Sequence, residues 1–135
     1  MRVVAGVDCH KSSHTVAFVS AIGEVVERLT IPTSEEGYER ALAAGDRLGC
    51  AQWGLEGAGC YGFALGVYVA ARGLTVFEVP GVLTKRHRRH GSVRGKSDDT
   101  DAKAIAEVVL REAGRLPAFR PSATATCTAP PIRPA

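Results

Sequence analysis

Apolar and polar positions change their period several times along the chain, and each change predicts an element. "RVVAGVD" (2–8) is a short, β-branched apolar run, the pattern of a buried strand. "HTVAFVS" (14–20) is a second such run and "VVERLTI" (25–31) a third, with a Gly-centred turn at "AIGE" between them. Residues 2–31 therefore read as an antiparallel meander that Pro32 stops. In "TSEEGYERALAAGDRLG" the period lengthens. Thr33 and Glu36 stand at capping-box spacing, Tyr38, Leu42 and Leu48 form a rough helical stripe, and Gly49 ends it. "AQWGLEG" (51–57) predicts a strand, "YGFALGVYVAARG" (61–73) a helix closed by Gly73, and "LTVFEVP" (74–80) a strand closed by Pro80. After a basic loop, "SDDTDAKAIAEVVLREAG" (97–114) predicts a last helix that stops at Gly114.

The resulting order, β-β-β-α-β-α-β-loop-α, implies an α/β protein with a mixed five-stranded sheet and helices on both faces. Strands 51–57 and 74–80, joined by a helix, make a parallel right-handed crossover. This is the element order of the ribonuclease-H-like fold, used by nucleases, resolvases and transposases and also by actin-like ATPases and sugar kinases. The fold alone does not choose among those activities.

Composition changes the picture in three places. A chain of 135 residues fits one domain with a real core, and its net charge of +3 is modest. The charge is concentrated, however: Lys85, Arg86, Arg88, Arg89, Arg94 and Lys96, with His87 and His90, occupy 85–96 without one acid. Such a run suits a phosphate backbone, and it also suits a solvated loop. Cys9, Cys50, Cys60 and Cys127 show no C-x-x-C pairing, so free thiols in a reducing cytoplasm are expected rather than a zinc site or a disulfide framework. No signal peptide is expected at Met1, where a charged "DCHK" arrives too early, and no stretch approaches the ~20 apolar residues of a membrane span. Beyond Leu116 the sequence turns rich in Pro, Ala and Thr, with five of the seven prolines. The expected organisation is therefore a domain over 1–116 and a disordered tail over 117–135.

The candidate chemistry lies in the acids. On the last helix Ala102, Ile105, Ala106 and Val109 share the face that packs on the sheet. Asp98 and Asp101, three apart, are surface neighbours, whereas Asp99 is about 160° around the helix from Asp101. Acids in a first helical turn also serve simply as a cap and a complement to the macrodipole. Asp8 ends the first strand and Glu56 the fourth. In this topology those strands are neighbours, so both carboxylates emerge at one sheet edge, where sites in open α/β sheets gather. Hard oxygen donors without paired His or Cys favour Mg²⁺ or Mn²⁺ over Zn²⁺. A zinc site from Cys9, His10 and His14 is disfavoured because a strand turn scatters those side chains. The actin-like reading lacks the Gly-rich phosphate clamps it needs. Trp53, Phe63 and Tyr68 are expected in the core.

"GVDCHKSSHTVAFV", "WGLEGAGCYGFALGVYVAARGLTVFEV" and "RGKSDDTDAKAIA", in that order, resemble the N-terminal domain of the "IS one-ten" family of bacterial insertion-sequence transposases. These are DEDD recombinases related to the Piv invertase, with a RuvC-like N-terminal domain. The resemblance covers roughly Val3 to Leu116. It implies that Asp8, Glu56, Asp98 and Asp101 are the four acids, that they bind Mg²⁺ (or Mn²⁺), and that they act on DNA during excision and insertion. It also implies a role in backbone contact for Lys85–Lys96, a guide RNA transcribed from the element, and a homo-oligomer. The family's second domain, with its nucleophilic serine, has no counterpart after Leu116, and Ser122 in the tail does not take that role. Two alternatives stand beside the transposase: a non-catalytic nucleic-acid-binding remnant, and a stand-alone RuvC-like junction nuclease.

Overall fold

A computed structural model of the protein describes residues 2–81 and 98–119, with side chains from Asp101 onward in the second stretch. The elements are β1 (Val3–Cys9), β2 (Ser13–Ser20), β3 (Val25–Pro32), α1 (Glu35–Leu48), β4 (Cys50–Glu56), α2 (Phe63–Ala71), β5 (Thr75–Glu78) and α3 (Asp98–Glu112). A 3₁₀ turn at Ala113–Arg115 follows α3. The strands form one sheet in the order β3-β2-β1-β4-β5, in which β2 runs against the other four. This is the mixed sheet expected from the element order. Among the described residues no helix is long and apolar enough to cross a membrane.

Helices cover both faces, which is why β1 reads as a continuous apolar run rather than an alternation. Val3, Ala5 and Val7 belong to a core with Phe18, Trp53 and Leu55 and with Tyr38, Leu42, Leu65 and Val69 of α1 and α2. Val4 turns the other way, into a second core with Ala17, Val19 and Ala102, Ile105, Ala106 and Val109 of α3. Trp53 is fully buried and meets Phe18 edge to face at 5.6 Å, so it is a core residue as expected.

Two glycines let α3 lie directly on the sheet. Gly6 and Gly54 are register partners on β1 and β4. A Cβ on Gly6 would fall on Ala102 O and Ala106 N, and within 2.9 Å of Ala106 Cα. A Cβ on Gly54 would strike Val109 Cγ2 and come within 3.0 Å of Val79 Cγ2. The apolar stripe of α3 thus meets bare strand backbone, the close approach for which a glycine within a strand is used.

Three details depart from the sequence reading. The cap of α1 is Ser34, one residue after Thr33, and its hydroxyl accepts from Gly37 N–H at 3.2 Å. Pro117–Phe119, expected in the tail, pack on the sheet. Phe119 N–H donates to Val76 O at 2.8 Å, Ala118 bridges Phe77, and the Phe119 ring meets Phe63 at 5.4 Å. Apolar contact with Phe63 outweighs the Pro-rich context there, and the rest of the tail lies outside the described residues. Cys9 and Cys50 are free thiols, but Cys60 is disulfide-bonded.

His14 on β2 is fully buried and stacks on Tyr38 with ring centroids 6.1 Å apart. Among the described residues neither ring nitrogen meets a partner in hydrogen-bond geometry. Burial lowers its pKa from 6.5 to about 4, opposed by the Ser13 backbone and aided by the nearby His10. The neutral ring is therefore favoured by the fold. As pH falls below about 6.5 the unfolded chain takes up a proton that the folded chain refuses until about 4. Stability is expected to be full above that window and to fall by about 3 kcal/mol across it. Urea unfolding midpoints at a series of pH values check this, and His14→Phe should flatten that part of the profile.

Candidate functional site

β1 and β4 run parallel and end together, so Asp8 is the register partner of Glu56. Alternation along each strand puts both side chains on the face that carries Gly6, Gly54 and α3. Two acids opposite one another in a sheet repel unless a cation or donor intervenes. Asp8 is 7% exposed, and its Oδ2 lies 2.9 Å from His10 Nε2. On Glu56 the constraint is steric: a Cβ at Gly81 would stand 2.7 Å from Glu56 Oε2, so the bare backbone after β5 makes room for that carboxylate. Cys9, on the opposite face, registers the combined charge. Its thiol is held well above the ordinary range, first by burial and then by the negative charges of Asp8 and Glu56. A thiol so raised is a poor nucleophile.

The direction of α3 brings its first turn to the same end. Ala102 and Ala106 sit over Gly6, while Glu107 lies toward Gly23, in the β2–β3 turn at the far end of the sheet. The helix therefore runs opposite to β1, and its start is at the edge where Asp8 and Glu56 emerge. Asp101, half-buried, immediately precedes the Ala102 contact. Asp98 begins the helix, with its side chain outside the described residues. Lys85, Arg86, Arg88, Arg89, Arg94 and Lys96 also lie outside the described residues.

Among the described residues no three His, Cys, Asp or Glu side chains gather closely enough to hold a metal ion. Cys9, His10 and His14 do not converge: His10 turns to Asp8, and His14 is buried against Tyr38. Asp8 and Glu56 are hard oxygen donors suited to Mg²⁺ or Mn²⁺. They fit half of such a site. Sequence reasoning missed His10 as the partner of Asp8. Its signal was present, since residues two apart at a strand end share a face.

The chain matches the model of the DEDD transposase family IS110, described as "Transposase", over residues 5–128. It belongs to that family. Two solved structures share the fold of this IS110 transposase domain. One is Thermus thermophilus RuvC in complex with a Holliday junction substrate, with TM-score 0.65, 19% identity, and coverage of 88% of this chain and 100% of that one. The other is Thermus thermophilus RuvC, with TM-score 0.63, 19% identity, and coverage of 87% and 99%. No curated protein matches the chain. The first of these RuvC structures holds a Holliday junction substrate. The IS110 domain thus has a RuvC-like α/β fold, with a mixed five-stranded sheet between helices.

Proposed function

We propose that this domain provides the acidic, metal-dependent half of a DNA-recombining transposase, acting in the cytoplasm. Asp8, Glu56, Asp98 and Asp101 would hold Mg²⁺ or Mn²⁺. The observation that carries the reading is the register pairing of Asp8 with Glu56 at the strand ends toward which α3 directs its first turn. When bound there, divalent cations supply Lewis-acid stabilisation of charge on a phosphodiester. The residues of the chain do the rest. Asp8 and Glu56 orient from the sheet, Asp98 and Asp101 orient from the helix, and Lys85, Arg86, Arg88, Arg89, Arg94 and Lys96 hold the backbone without reading its sequence. DNA is the substrate. A guide RNA from the element and further copies of the chain are the partners that family membership suggests.

The fold of RuvC supports a second reading, a junction nuclease that works alone, because this chain covers that protein's whole length. One assay separates the readings. Duplex and four-way-junction DNA are incubated with the protein and Mg²⁺, beside Asp98→Asn. Nicking that needs Mg²⁺ and is lost in the variant is expected. Preference for the junction would favour the nuclease, and metal-independent binding without cleavage by either protein would defeat both.

A further inference from the structure

We propose that His10 is a positioning residue of the carboxylate site: it holds Asp8 in the orientation that meets a divalent cation. The proposal rests on the reading of Asp8 as a cation ligand.

The contact is short and directional. His10 Nε2 lies 2.9 Å from Asp8 Oδ2, and the side chains are 49% and 10% exposed. His10 therefore reaches in from the surface to a carboxylate that is nearly enclosed. The proton it donates is on Nε2, and that donor exists in the neutral Nε2–H tautomer and in the protonated ring alike.

The position of the ring is set by the hairpin. His10 N–H donates to Ser13 O at 3.0 Å, closing the β1–β2 turn. The same turn is tied to the β3–α1 junction, where Thr33 Oγ1 donates to Lys11 O and Thr33 N–H to Ser12 O, each at 3.4 Å. The imidazole thus stands on a loop braced from both sides. Asp8 has Glu56 as its register partner, and like charge at that position opposes a fixed carboxylate orientation. A donor fixed by the hairpin holds that orientation. Ligating carboxylates are commonly held by such outer hydrogen bonds, whose loss lowers metal affinity by about 10- to 100-fold.

The test measures Mn²⁺ alone binding to the full chain, by the electron paramagnetic resonance signal of the free ion, at about pH 8. His10→Ala should weaken binding about tenfold. His10→Gln places an amide donor at the depth of Nε2 and should recover most of that loss. Thermal unfolding should change little in both, because the ring is half exposed. Wild-type affinity in His10→Ala, or equal weakness in the Gln variant, would overturn the proposal. So would tighter binding in His10→Ala, which would make the imidazole a competitor of the ion. Asp8→Asn is measured alongside. If that variant loses Mn²⁺ while His10→Ala does not, the positioning role alone fails. If Asp8→Asn binds as the wild type does, the reading of the site itself fails.

Discussion

Replacing Asp8 with asparagine should lower Mg²⁺-dependent DNA cleavage about a thousandfold, equivalent to roughly 4 kcal/mol at the transition state. The substitution nearly preserves shape and removes one full negative charge at the position facing Glu56. An amide oxygen still coordinates weakly, so binding of the divalent cation should weaken along with the rate. Stability should change by no more than about 1 kcal/mol, because two opposing changes accompany the loss of charge. The contact with His10 loses its ionic character, and the repulsion between Asp8 and Glu56 disappears. Single-turnover cleavage, Mn²⁺ titration and urea unfolding measure the three quantities separately. Retention of cleavage within about tenfold of wild type would exclude Asp8 from the chemistry.

The second large effect is structural. Gly6→Ala should destabilise the domain by about 3 kcal/mol or more, the upper range for forcing an added group into packed surroundings. The new methyl group meets backbone atoms of α3 at Ala102 and Ala106, which no change of rotamer can move aside. Either the helix lifts or the strand bends. If the helix lifts, Ala102, Ile105, Ala106 and Val109 lose their contacts with Val4, Ala17 and Val19. Urea unfolding gives the cost. Divalent-ion affinity, measured on the fraction still folded, should fall as well, since Asp101 departs with the helix. A variant as stable as wild type would show that α3 does not rest on the strand backbone.

Most of the fold was legible in the sequence because the apolar runs are long and well punctuated. Three β-branched runs followed by alternating helices and strands admit few topologies, and the adjacency of β1 and β4 follows from them. With that adjacency, the meeting of Asp8 and Glu56 was predictable as soon as each acid stood at a strand end. Other features depended on local competition. Thr33 and Ser34 are both good caps, and only backbone geometry decides that Ser34 reaches Gly37. Pro117–Phe119 looked like the start of a disordered tail, because an apolar pocket around Phe63 and Gly66 has no signature in the segment that fills it. The tight seat of α3 was hidden for a related reason. Gly6 and Gly54 lower strand propensity when read singly, and their purpose shows only when they stand opposite each other beneath a helix.

That seat has a consequence for how the acidic end can move. Alanine 102 and alanine 106 nest over one glycine while Ile105 and Val109 straddle the other, so bulkier side chains cannot take the same places. Sliding α3 along the sheet by even one full turn, about 5.4 Å, would bring Leu110 or Asp98 to a place that an alanine now fills. The carboxylates at its start are therefore indexed rather than tuned. Sliding is opposed in either direction, and a rearrangement of that helix must lift it from the sheet.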